Sequence, residues 1–348
     1  MRCSHLQKMI WICSLCFLCF FTVGCWNRKE IETLSFVIAV GIDPSESGYL
    51  VSTQVANTAA LTKEGAKNAP NFFVYTTPGK TIFDAIRTAT HNSPYKLYWS
   101  HTKVLVLSEE TARKGLEPVL DYFARDAEER RNFLLVITPR QAEAIIKTDV
   151  KTTPIPAMTL FQLLEGYKFS SQTAYINLND FLREYHSKTC PLIPVVHLVK
   201  NQGGKQGFAV SKAAIIKGDK FISYLTPSET RGVFWVQEKI KSGILETGCL
   251  NQSTKGRISF EIFKAKSKIK AEKRSGKFVI TVQIKEKGSI AEASCLKNEI
   301  NPIEIKEVEK LKEEVITKEI EAALRKAQKL NTDIFGFGEA IHRSHPKE

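Results

Sequence analysis

"RISFEIFKAKSKIKAEKRSGKFVITVQIKEK", residues Arg257–Lys287, alternates apolar or small residues with lysines over most of its length. A period of two predicts two long antiparallel strands, Arg257–Ala271 and Lys277–Lys287, joined by a tight turn at Ser275-Gly276. Lys264, Lys266, Lys268 and Lys270 then project from one sheet face, while Ala265, Ser267 and Ile269 take the other. A helical period follows over Pro302–Leu330. There Ile305, Val308, Leu311, Val315, Ile320, Leu324 and Ala327 make a stripe, with Glu and Lys on the remaining faces. A long helix laid across an antiparallel sheet, stripe inward, is the expected C-terminal half.

Upstream of this pair, Phe208–Lys217 and Phe221–Leu225 flank Gly218-Asp219 and read as a hairpin, and Pro227–Lys241 reads as a helix. Gly203-Gly204-Lys205-Gln206-Gly207 breaks the chain. It separates an N-terminal domain, residues 25–202, from a C-terminal one, residues 203–348. In the first, strand patterns at Leu34–Gly41, Tyr49–Ala56, Phe72–Thr76, Lys103–Leu107, Phe133–Ile137 and Leu192–Val199 alternate with helical ones. Thr81 is placed to cap a helix bearing Ile82, Ala85, Ile86 and Ala89. Ser108 caps a helix whose face is Leu116, Val119, Leu120 and Phe123. Pro139 opens the next helix, Pro154–Ser187 is helical, and Asn57–Pro70 is a loop. The expected class is α+β: a mixed sheet with flanking helices, then a largely antiparallel sheet packed with one long helix.

The 348 residues carry a net charge of +13. Between Lys255 and Lys287, eleven Lys or Arg stand against Glu261, Glu272 and Glu286, a net of +8. Such a face is either simply solvated or set near anionic lipid or an acidic partner. Nucleic-acid binding needs stacking aromatics or a groove-reading motif, and neither accompanies these lysines. Catalytic signatures are missing: no G-x-S-x-G, H-E-x-x-H or phosphate-loop pattern occurs. His342 and His345 sit in a charged tail without partners at ligand spacing, so no metal is expected, nor any cofactor. His101, beside Trp99-Ser100, reads as a structural imidazole.

The first 24 residues differ from the rest. Arg2, His5 and Lys8 precede a 15-residue apolar block, Met9–Val23. The block is short for a bilayer span, which takes about 20 residues. Basic start, apolar core and small residues make an export signal, residues 1–24. Thr22-Val23-Gly24-Cys25 resembles the bacterial lipobox, apart from Thr22 where Leu is preferred. Gly24 then flanks the cut, and the Cys25 thiol takes a diacylglycerol. A retained anchor, or a plain secretory cut leaving Cys25 free, are the alternatives. Cys13, Cys16 and Cys19 are fillers of the apolar block. Beyond Cys25 only Cys190, Cys249 and Cys295 remain; at most one pair can form, and the sequence leaves the choice open.

Gly24-Cys25-Trp26-Asn27-Arg28-Lys29-Glu30-Ile31, with Trp26, Arg28 and Glu30 as its marked positions, is similar to the opening signature of the Ger(x)C family. These are the lipoprotein C subunits of spore germinant receptors. Ser100–Val106, Arg125–Arg130, Gly207–Leu225, Thr230-Arg231-Gly232 and Asp333–Gly338 resemble its later motifs. The resemblance implies a non-catalytic subunit of a nutrient receptor, lipid-anchored to the outer face of the spore inner membrane. Its partners would be the integral-membrane A and B subunits and the bilayer. Family members usually continue through a Trp-containing helix and a closing strand, whereas this chain stops at Glu348; a lost strand would leave an open sheet edge. A solute-binding lipoprotein serving a transporter is the rival reading.

Overall fold

The computed structural model describes residues 34–346, except 62–68, 127, 129, 151, 201–202, 251–255 and 296–300, and near the N-terminus residues 5, 7–11 and 14. Residues 7–11 are helical, with Met9, Ile10 and Trp11 exposed. Residues 35–348 form one compact unit. No helix among the described residues is long and apolar enough to cross a membrane.

The N-terminal half runs β1 (Leu34–Ser45), β2 (Gly48–Ala56), α1 (Thr58–Leu61), β3 (Phe72–Gly79), α2 (Ile82–Asn92), β4 (Lys96–Tyr98) and β5 (Val104–Ser108). It continues through α3 (Glu109–Lys114), α4 (Glu117–Arg125), β6 (Leu134–Thr138), α5 (Ala142–Lys147), α6 (Pro156–Glu165), α7 (Tyr167–Ser170), α8 (Leu178–His186) and β7 (Leu192–Lys200). The rest is β8 (Gln206–Lys217), β9 (Lys220–Leu225), α9 (Pro227–Val236), β10 (Gly243–Gly248), β11 (Arg257–Arg274), β12 (Lys277–Ala293), α10 (Pro302–Leu330) and α11 (Phe337–Ser344).

The first sheet has the order β3-β2-β1-β5-β6-β7-β8-β9, with β4 also paired to β1. Its centre, β1, β5, β6 and β7, is parallel, and its flanks are antiparallel. β7 and β8 pair across the glycine-rich turn at Gly203-Gly204, so this sheet contains strands from both sides of residue 202. One core, with Ile42, Leu107, Ile137, Ile193, Phe123 and Phe181, fills one face under α2, α4 and α8. A second, with Val106, Val136, Ile145, Leu160 and Val196, fills the other under α5 and α6. Both faces are buried, so "VLVL" and "LLVI" are apolar at every position instead of alternating.

The second sheet, β10-β11-β12, is antiparallel. Its inner face meets α9 and α10 in a third core containing Trp235, Leu245, Phe260 and Ala323. The α+β class expected from the sequence is the one observed.

The departures have local causes. The helix expected from Ser108 through Phe123 is two helices, because Gly115 takes φ +134°, where a Cβ would lie 2.5 Å from the Asp219 carboxylate. Leu116 N–H then donates to the Asp219 carbonyl at 2.8 Å, tying the break to the β8–β9 turn. Pro154–Ser187 holds three helices, interrupted where Ser171 is left-handed and donates its hydroxyl to the Ser242 carbonyl at 2.6 Å. Pro227–Lys241 is helical only to Val236. The Asn57–Pro70 loop contains the short α1, and its middle lies outside the described residues.

The helix after β6 starts at Ala142, three residues past Pro139. Its cap comes from β1: buried Asp43 accepts the N–H groups of Ala142 at 2.7 Å and Glu143 at 2.9 Å. Burial pushes the Asp43 carboxyl above the ordinary carboxylate range, against the opposing pull of these two donors. Asp43→Ala leaves both amides without their acceptor and is expected to destabilise by about 1–2 kcal/mol, read as a lower urea midpoint.

Candidate functional site

The lipobox residues Gly24 and Cys25, and the signature residues Trp26, Arg28 and Glu30, lie outside the described residues. The later motifs are placed, and they converge on two junctions.

The larger junction is built on α9. Thr226 caps it reciprocally with Glu229, and Pro227 occupies its first turn. From Thr230 to Val236 every residue is buried, including Arg231. A guanidinium inside an apolar helix needs a carboxylate, and α10 supplies Glu319. Arg231 Nε lies 3.1 and 2.9 Å from the two Glu319 oxygens, and Nη2 is 2.5 Å from Oε1. Arg231 Nη1 donates to the Ile244 carbonyl of β10 at 2.7 Å, and Trp235 Nε1 donates to Glu319 Oε2 at 2.9 Å. Both ionic side chains are 7% exposed. Gly232 makes the close approach possible: a Cβ there would stand 2.2 Å from the Glu319 carbonyl oxygen. Thr230-Arg231-Gly232 is thus a clamp that locks α9, α10 and β10 together.

Asp333–Gly338 closes the far end. The Asp333 carboxylate accepts N–H groups from Phe335 (3.2 Å), Gly336 (2.8 Å), Phe337 (3.0 Å) and Gly338 (2.7 Å), capping the entry to α11. Its carbonyl accepts the Cys190 N–H at 2.8 Å, and Gln237 Nε2 donates to the Ile334 carbonyl at 2.8 Å. The segment after α10 is thereby fastened to the chain entering β7 and to the end of α9.

The second junction joins Ser100–Val106 to Arg125–Arg130. The Ser100 hydroxyl donates to the Glu128 carbonyl at 2.5 Å, while Asp126 accepts the Glu128 N–H at 2.8 Å and the Tyr122 hydroxyl at 2.9 Å. His101 is exposed and lies beside Phe36 and Tyr98, with ring centroids 4.9 and 5.5 Å away. Desolvation, then Lys103 and Arg130, lower its pKa and favour the neutral ring.

Two open grooves border these junctions. One, of about 750 Å³, runs between β12 and α10, lined by Phe260, Ile284, Ile290, Val308, Ile316 and Ile320. Lys312 crosses it, 2.5 Å from Glu286 Oε2 and 5.2 Å above the Phe260 ring. The other, of about 830 Å³, lies between α2 and α4 around Phe83, Arg87, Tyr122 and Asp126. Half-exposed Phe83 carries the Arg87 guanidinium 4.9 Å from its ring centre. Both have mixed apolar and charged walls.

Tyr224, Tyr175 and Cys190 lie in contacts of the scaffold. Tyr224 donates to Glu109 and Tyr175 to Glu165; burial first, then the carboxylate, raises each phenol. Burial also raises the Cys190 thiol, away from reactive thiolate. Cys249 and Cys295 are joined as a disulfide, which resolves the choice among three cysteines. His342 is exposed on α11, while the His345 ring packs 5.3 Å from Phe278. Among the described residues, no three His, Cys, Asp or Glu side chains gather closely enough to hold a metal ion.

Glu319, β10 and α11 were not foreseen from the sequence. Arg231 is the signal that points to Glu319, since such a residue within an apolar helix demands a partner.

Comparison with known proteins gives these junctions a setting. The spore germination protein N-terminal domain matches residues 27–198, and the spore germination B3/GerAC-like C-terminal domain matches residues 211–348. Spore germination protein KC of Bacillus subtilis (strain 168) is 27% identical, over 93% of this chain and 85% of that protein. Spore germination protein B3 of the same organism is 28% identical, over 93% and 86% respectively. The crystal structure of the GerBC protein has the same fold, with a TM-score of 0.54, 21% identity and 88% of each chain covered. Matched by both germination domains, and by such relatives along most of its length, the chain belongs to the Ger(x)C family of spore germination proteins.

Proposed function

We propose that this chain is the lipid-anchored C subunit of a nutrient germinant receptor, held at Cys25 on the extracytoplasmic face of the membrane. There it helps assemble the integral A and B subunits and couples their response. The observation that carries this reading is the pair of germination domains, the first of which begins at residue 27, just after Cys25. Two acyl chains at Cys25 would hold the domain firmly, where one chain binds only marginally. Confinement to the membrane plane would raise the effective concentration for weak contacts with the other subunits. The Cys249–Cys295 disulfide is in keeping with a site outside the cytosol.

The test is deletion of the gene, in a strain also lacking paralogous receptors, with germination scored against a nutrient panel. Loss of at least one nutrient response is expected, restored by the wild-type gene. Cys25→Ala is expected to leave the protein in the soluble fraction and the response unrestored. Normal germination of the deletion strain on every nutrient would overturn the proposal.

A further inference from the structure

The outer face of the β11–β12 hairpin is a lattice of cations. The register sets Lys264 opposite Lys287, Lys266 opposite Lys285, and Arg274 opposite Lys277, with Lys268 and Lys270 facing Gln283 and Thr281. All of these residues are exposed. The acids of this face are Glu272, which Arg274 holds at 2.5 Å, and Glu261 and Glu292 toward the open end of the hairpin, fewer than its cations. Lys264, Lys266, Lys268, Lys285 and Lys287 make no ion pair among the described residues.

Like charges placed directly opposite on one sheet face repel. Their Cβ atoms stand about 4.5–5.5 Å apart, well inside the Debye length of about 8 Å at physiological salt. The hairpin cannot relieve this by turning over. Its other face is committed to the third core through Ala265, Ile269, Val282 and Ile284, and a one-residue slip would put the lysines there instead. The lysines are therefore held outward side by side, and a counter-charge laid on this face would be attracted by several of them at once.

We propose that this face docks on anionic phospholipid headgroups, laying the hairpin along the bilayer. The proposal rests on the reading that places the chain at a membrane. A lipid surface fits better than an acidic protein because of how the face is composed. The centre of a protein interface is depleted of lysine and enriched in aromatic residues. Here lysines occupy the centre, repeating about every 6.6 Å along β11, and the exposed apolar side chains Phe263 and Val279 stand at the ends. A regular, pocketless array of long cationic side chains matches mobile headgroups. Each lysine close to such a surface contributes a factor of about five in partitioning.

The test is lysine footprinting of the full chain, purified in detergent and added to vesicles of phosphatidylcholine alone or mixed with phosphatidylglycerol. Acylation is read residue by residue by mass spectrometry, with exposed Lys318 and Lys329 of α10 as references. On the anionic vesicles Lys264, Lys266, Lys268, Lys285 and Lys287 are expected to react severalfold more slowly than on neutral ones, while Lys318 and Lys329 react alike on both. That protection should vanish in about 1 M salt, where the Debye length is about 3 Å. The Lys266→Glu/Lys285→Glu variant should lose it at low salt. Equal reactivity on both vesicles while the chain floats with both leaves the anchor intact and overturns the basic-face proposal. Protection that appears only after other membrane subunits are added overturns it as well. If the chain fails to float with neutral vesicles, the anchor reading fails; flotation with anionic vesicles alone then supports the basic face, and flotation with neither overturns it.

Discussion

Glu319→Ala is expected to destabilise the protein by about 3–5 kcal/mol, because it leaves the Arg231 guanidinium buried with no counter-charge. The carboxylate takes three contacts from Arg231 and one from the Trp235 indole, so the truncation also strips the indole N–H of its acceptor. Water cannot replace it without opening the α9–α10 contact, since both ionic side chains are 7% exposed and Gly232 lies against the α10 backbone. Urea unfolding should show the loss as a lower midpoint. Indole fluorescence should register it, because Trp235 is itself in the site. The double variant Arg231→Met/Glu319→Leu separates a broken pair from a needed one. It removes both charges and keeps apolar bulk but leaves the Trp235 N–H and the Ile244 carbonyl without their partners, so it is expected to cost about 1–3 kcal/mol, less than the single variant. A single variant as stable as wild type would show that the pair is not held as described.

This clamp also shows where sequence reading stopped. The β11–β12 hairpin and α10 were legible because their periods are strong and lysines or glutamates mark the wet face at nearly every repeat. Thr81 and Ser108 were legible as caps, and each accepts the N–H expected of it. The stripe on α10 was read correctly as helical, but its depth was not. Ile305 is 43% exposed, while Val308, Glu319, Ala323 and Ala327 are the buried positions. The helix approaches α9 where small side chains and Gly232 let the backbones close, which leaves much of the aliphatic stripe along the β12 groove. Among the many glutamates of α10, nothing local distinguishes Glu319; its burial is decided by Arg231, 88 residues away. β10 was missed for a related reason. Its alternation, with Gly243, Leu245 and Thr247 inward, is only six residues long and is anchored by pairing to β11 and by the Arg231 bond. Long-range partners, more than local pattern, made these elements.

Removing the disulfide, by Cys249→Ser/Cys295→Ser or by reductant, is expected to lower stability by roughly 4 kcal/mol, the loop-closure value for a bridge of this span. The two cysteines are 46 residues apart and enclose the whole β11–β12 hairpin. Cys249 directly follows β10, and Cys295 lies two residues past β12, so the bridge staples the open ends of all three strands. Without it those ends rely on the Arg257–Ser294 hydrogen bonds, at 2.9, 3.1 and 3.2 Å, and on the Arg257–Glu246 ion pair at 2.9 Å, all near the surface. Hydrogen exchange should therefore quicken first at Arg257, Ser294 and the end of β10, ahead of global unfolding. Cys190 cannot take over as a partner, being buried and held as thiol by its surroundings. Unchanged denaturant midpoints in the double serine variant and under reductant would refute the bridge's role. The same arithmetic bears on location. On the proposal that residues 1–24 direct export, chain kept in a reducing cytosol by deleting them should match the serine variant in stability, although residues 25–348 are untouched. A retained protein as stable as the exported one would mean that the β10-β11-β12 ladder and the α9–α10 clamp hold this sheet together unaided.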